Sequence, residues 1–255
     1  MSAFDIYIKS INDVLEELKN SGRRINVFNV PSSCSELPRT IPVNIGGNAN
    51  PGIILRQDTY VELGNPEAGS SAIMISTNET GLINDGRITL IGPDIPESAD
   101  KSLPFGQVIL IGGASLDDKE HETLQQPGFV GDKIEGYMIR SLPQNIWSRI
   151  SKDGAAKGFN FECLGKALIY LYKSENPKIE SMEIIFITSA KDDVKLLDNI
   201  SEQVRKISKE ITKENWKIKG YDIDCELDCS SCGDKSVCDD IRDVLKSRKK
   251  KGLVK

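Results

Sequence analysis

Four of the six cysteines stand within fourteen residues, in the run Cys225-Glu-Leu-Asp-Cys229-Ser-Ser-Cys232-Gly-Asp-Lys-Ser-Val-Cys238. Thiolates are soft ligands that suit zinc or iron–sulfur clusters. A cytoplasmic chain keeps its thiols reduced, so metal binding explains such a cluster better than a disulfide framework does. A structural zinc site usually draws on two close pairs separated by a longer insert, so that two turns meet around the ion. Here the gaps are three, two and five residues, as in a single loop wrapping a 4Fe–4S cube. Ser230, Ser231 and Gly233 are small and let backbone N–H groups approach the sulfurs. The expected ligands are Cys225, Cys229, Cys232 and Cys238. Zinc remains open as the alternative metal. A bare cysteine-rich tail would leave reactive thiols in solvent, which soluble proteins avoid. Asp224, Glu226, Asp228, Asp234, Asp239 and Asp240 surround the quartet with negative charge. That charge would lower a cluster's reduction potential, or else simply keep an exposed loop soluble.

The other residues with chemical potential are isolated. Cys163 lies in the apolar helical stretch Phe159–Leu168, where a free cysteine is ordinarily a small buried hydrophobe. Cys34 sits in a loop with no partner nearby in sequence, and His121, the only histidine, sits in the acidic run Asp117–Glu122. Neither has a neighbour that would make a nucleophile–base set. No G-x-x-x-x-G-K-[ST] loop is present, and no G-x-G-x-x-G follows a strand. Lys166, beside Gly165, reads as a solvated helix side chain, and Arg248–Lys251 as a solvated basic segment.

Composition bounds the setting. The chain has 255 residues, 38% hydrophobic and 28% charged, with a net charge of −5. Those values exclude fibrous, low-complexity and wholly disordered classes. No apolar run reaches the length of a membrane-spanning helix, and Met1–Tyr7 lacks the layout of a signal peptide. The expected location is the cytoplasm, with no membrane contact. The acidic balance argues against nucleic acid as a partner. A chain of this length buries about 70–75% of its unfolded surface and does not need a metal merely to fold.

These candidate ligands follow an α/β (α+β) scaffold. Ile8, Ile11, Leu15 and Leu18 predict a helix over 4–20, stopped by Gly22. Strands are expected at 25–30, 53–57, 72–76, 87–91, 107–111 and 182–188, with turns at Asp85-Gly86, Gly92-Pro93-Asp94 and Gly112-Gly113. The stretch 130–141 reads equally as strand or short helix, and 143–152 as a helical turn carrying Trp147. Helices are expected at 161–173 and, as one long element, at 192–214. The result is a β-rich N-terminal half, a helix–strand–helix C-terminal half, and a small cysteine-rich metal segment. Residues 1–214 form the α/β domain, and residues 215–255 carry the cysteines, a final short helix at 239–251 and the basic residues.

Several strings, in their order, resemble a known family: Arg56–Pro66, Asn84–Asp94, Leu103–Ile111, Glu135–Arg140, Ile146–Lys152 and Gly158-Phe159 leading into Leu164-Gly165. Together, over roughly residues 50–240, they resemble the β subunit of the CO dehydrogenase/acetyl-CoA synthase complex, in the α/β domain that precedes its metal-binding domain. The resemblance implies a cysteine segment ligating a 4Fe–4S cube, bridged in that family to a two-nickel site that joins methyl, CO and coenzyme A into acetyl-CoA. Cys229-x2-Cys232 matches the family's opening pair. Cys238 would stand for the third ligand after a shorter gap, and Cys225 would replace a ligand that the family places downstream. The family's Cys-Gly-Cys, which holds the second nickel, has no counterpart here, and seventeen residues follow Cys238. The expectation is therefore a cube without paired nickel. It implies an electron-transfer or accessory protein of anaerobic one-carbon and CO metabolism, working with a corrinoid protein or a CO dehydrogenase subunit. Two other readings stay open: a reduced acetyl-CoA synthase-like enzyme transferring methyl, CO or acyl groups, and a structural zinc module used for binding.

Cys229→Ala or Cys232→Ala is expected to abolish the visible chromophore of anaerobically purified protein while far-UV circular dichroism stays near wild type. Cys163→Ala should leave the colour unchanged. Loss of the whole fold with the metal would contradict the division at residue 214.

Overall fold

The computed structural model describes residues 2–31, 36–49, 52–98, 102–116, 124, 133–141 and 145–218. Cys225, Cys229, Cys232, Cys238, Cys34 and His121 all lie outside the described residues, as does the helix expected at 239–251.

The elements run α1 (Asp5–Asn20), β1 (Ile25–Asn29), α2 (Leu37–Thr40), β2 (Thr59–Leu63), β3 (Ser70–Thr77), β4 (Arg87–Ile91), β5 (Ser102–Leu103), β6 (Phe105–Gly112), β7 (Tyr137–Ser141), β8 (Trp147–Ser151), α3 (Lys152–Ala156), α4 (Phe161–Glu175), β9 (Ser181–Ile187), α5 (Lys191–Lys195) and α6 (Asp198–Ile218). They build two mixed sheets, so the fold is mixed α/β as expected. The larger sheet has the order β1-β4-β9-β6-β3 and the smaller β5-β2-β8-β7. In the larger sheet β9 is parallel to β4 and antiparallel to β6, with Ile184 opposite Ile88 on one side and Ile109 on the other.

β9 is buried along its whole length, as its uninterrupted apolar run requires. Its side chains alternate between two cores. Ile185 and Ile187 join Phe4, Ile8, Ile11 and Leu18 around α1, with Val194, Leu197, Ile200 and Val204 from α5 and α6. Met182, Ile184 and Phe186 join Leu164, Leu168 and Leu171 of α4, with Val61, Leu63, Tyr137 and Ile150 of the smaller sheet. The larger sheet is thus the middle layer. Helices cover one face, and α4 with the smaller sheet covers the other.

On the second face Phe105, Phe161 and Phe186 bring three rings together, with centroids 5.0–5.9 Å apart, in the distance range favoured by aromatic pairs. Gly165 lets α4 approach β4, because a Cβ there would lie 2.7 Å from Ile88 Cδ1. The helix begins where Asn160 Oδ1 accepts from Cys163 N at 2.8 Å. Asp94 Oδ1 accepts from Phe161 N at 3.0 Å and Ile95 N at 2.7 Å, tying the Gly92–Asp94 turn to that same start. Burial holds the Asp94 carboxyl above its ordinary value despite these bonds.

The charge placed deepest in the sheet is fully partnered. Glu183, 1% exposed, receives Arg87 Nε at 2.8 Å and Nη2 at 2.6 Å on one oxygen. Asn84 N donates to the other at 3.0 Å.

Three expectations change, and one open reading resolves. Residues 53–57 are not a strand: Ile54 O accepts from Arg149 Nη1 at 3.2 Å and Ile54 N donates to Met138 Sδ at 3.4 Å, so side chains of the smaller sheet take the place of a ladder. The strand follows instead, at β2, where burial alternates. Trp147 opens strand β8 and does not sit in a helical turn. That strand pairs with both β2 and β7, and helix begins only at Lys152, where Ser151 Oγ accepts from Gly154 N at 3.0 Å. The ambiguous stretch before Ser141 resolves at its end as strand β7. The long helix at 192–214 is two helices, α5 and α6. Asp193 is drawn to Arg23, with Nε at 2.8 Å, and to Ser189, while Leu196 and Leu197 bond three residues back. That tightened turn buries both Val194 and Leu197.

Arg87→Met should destabilise the fold by about 3–5 kcal/mol, because it strands a buried carboxylate without a cation. Urea denaturation at neutral pH measures this, and a loss below about 1 kcal/mol would show that Glu183 does not depend on the pair.

Candidate functional site

The two sheets meet at a turn built for close approach. Gly64 ends β2 at φ +67°, and a Cβ there would stand 2.3 Å from Ile146 O. Asn65 shapes the turn: its Oδ1 accepts from Glu67 N at 3.0 Å and Ala68 N at 2.8 Å, and its Nδ2 donates to Ser102 Oγ at 2.7 Å. This is the Asx-turn chemistry that makes asparagine a turn former. Gly69 closes it at φ +92°, with Lys191 packed where its side chain would be.

Beside this turn lies a cleft of about 320 Å³, lined by Gly64, Gly69, Asn145, Trp147, Lys191, Lys195 and Asp198 among others. Its size suits a small organic molecule. Four separate parts of the chain supply the lining: the β2–β3 turn, the start of β8, α5, and the first residue of α6. Lys191 Nζ donates to Glu67 O at 2.8 Å. Lys195 Nζ pairs with Asp192 at 2.7 Å, which holds the lysine above and the carboxylate below their ordinary values. Burial pushes the Asp198 carboxyl up, partly offset by a hydrogen bond from Ser71. Cation and carboxylate therefore nearly balance along the wall.

Trp147 is half-buried, and the Arg140 guanidinium carbon lies 4.7 Å from its ring centre. Next along β8, Arg149 donates from Nε to Glu62 at 2.7 Å and from Nη2 at 2.6 Å. Arg140 of β7 and Arg149 of β8 thus have different tasks: one stacks on an aromatic face, the other brings two nitrogens to one carboxylate oxygen.

The residues singled out from sequence are not gathered here. The cysteine quartet lies outside the described residues, and among the described residues no group of three or more His, Cys, Asp and Glu side chains could hold a metal. Cys163 is a buried, free thiol on α4, raised above its ordinary pKa by burial, as its sequence context implied. Lys166 pairs with Glu162 at 2.7 Å. Among the described residues no helix is long and apolar enough to cross a membrane. The cleft itself was not anticipated. Its residues share no motif or spacing, and the only signal was the Gly64-Asn-Pro-Glu-Ala-Gly69 string, which reads as a turn.

This scaffold is where the chain meets known proteins. The family model of the CO dehydrogenase/acetyl-CoA synthase complex beta subunit matches residues 41–194. The chain belongs to this family. Similar proteins include acetyl-CoA decarbonylase/synthase complex subunit beta 1 of Methanosarcina mazei, 29% identical over 183 residues, which covers 70% of this chain and 38% of that protein. Subunit beta of Archaeoglobus fulgidus is 31% identical over 70% of this chain and 34% of its own length. Subunit beta 2 of Methanocaldococcus jannaschii is 27% identical over 75% of this chain and 40% of its own. The chain therefore spans well under half the length of these beta subunits. The family match takes in β2 through most of α5, including the cleft from Gly64 to Val194, and stops before the cysteine quartet.

In a Trp216→Phe background, Arg140→Ala should red-shift Trp147 fluorescence, because the guanidinium leaves the ring face to water. Stability should fall by no more than about 1 kcal/mol, the value of an exposed cation–π contact. Unchanged emission would mean that the stack does not form in solution.

Proposed function

We propose that this member of the beta-subunit family is an iron–sulfur protein of anaerobic acetyl-CoA-pathway metabolism, with Cys225, Cys229, Cys232 and Cys238 holding a 4Fe–4S cluster. It serves as an electron-transfer or accessory protein to a corrinoid protein or a CO dehydrogenase subunit in the cytoplasm. One juxtaposition carries the reading: four thiols within fourteen residues, downstream of a scaffold of this family that is matched as far as residue 194. The donor set fits the group, since a cube takes four thiolates and these residues are soft ligands at short gaps. When bound, the cluster supplies a one-electron couple. The chain's own contribution is the four sulfurs and the surrounding carboxylates, which oppose added electrons and lower the potential.

The described scaffold supports a separation of roles. Among the described residues its two cores close around β9 on apolar side chains, with no cluster of three metal-ligating groups, in keeping with clustered thiols that serve a cofactor and not the packing of the sheets. The cleft between the sheets lies within the matched region from Gly64 to Val194, with Lys195 and Asp198 beyond it, and offers a second place for chemistry, with polar walls beside an indole.

Metal and sulfide analysis of protein purified without oxygen tests the proposal. The expected result is iron and acid-labile sulfide in equal amounts, a broad visible absorbance that dithionite bleaches, and no nickel. Zinc in place of iron would make the segment a structural module. Nickel together with CO/acetyl exchange activity would make the chain an acetyl-CoA synthase-like acyl or methyl transferase in its own right.

A further inference from the structure

We draw no further inference here: the strongest candidate, the cleft at the seam of the two sheets between the β2–β3 turn, the start of β8 and helices α5 and α6, belongs to the site already described, and with Lys191 donating to the Glu67 carbonyl, Lys195 paired to Asp192 and Asp198 adding a carboxylate, its lining selects no class of ligand.

Discussion

Burial of β9 on both faces is the constraint from which the architecture follows. Met182, Ile184, Ile185, Phe186 and Ile187 have no exposure at all, and each side chain so buried contributes about 1.5–3 kcal/mol of transfer free energy. A strand of that kind needs a layer on each side. α1, α5 and α6 supply one, and α4 with the smaller sheet supplies the other. Glu183 sets the register, since a shift of one residue along β9 would take the carboxylate from Arg87 and Asn84 and turn Ile184 and Ile185 to the wrong cores. The parallel pairing with β4 and antiparallel pairing with β6 then place the ends of β3 and β6 beside the β2–β3 turn. There the larger sheet hands the chain over to the smaller one, and the seam leaves the cleft.

Much of this was legible in the sequence, for a definable reason. β3, β4, β6 and β9 read as short apolar runs between turn signals because both their faces are covered, and α1 and α4 carry their apolar residues at helical spacing. The smaller sheet was harder to read. β2 and β8 carry Thr59, Glu62, Ser148 and Arg149, and the burial of Glu62 and Arg149 depends on partners distant in sequence: Arg149 on Glu62 and the Ile54 carbonyl. Polar residues buried by long-range pairing look like loop or helix surface when read locally. The break between α5 and α6 was hidden likewise, since it rests on Arg23, about 170 positions from Asp193. The cleft was illegible because its lining converges from four elements, whereas the cysteine quartet was conspicuous because its spacing is local.

Scaffold and cysteine quartet occupy separate stretches of the chain. Family membership rests on the match over residues 41–194. The proposed cluster rests on thiol chemistry and spacing downstream of that region. The relatives are complex subunits by name, and this chain spans well under half of their length, so the fold can be shared while the chemistry appended to it differs.

The most direct test is the Mössbauer spectrum of the full chain, enriched in the iron isotope and kept from oxygen throughout. The account predicts the delocalised mixed-valence signature of one cube, lost when all four clustered cysteines become serine and retained when only Cys34 and Cys163 do. A spectrum of isolated ferrous sites, or no iron signal at all, would contradict it.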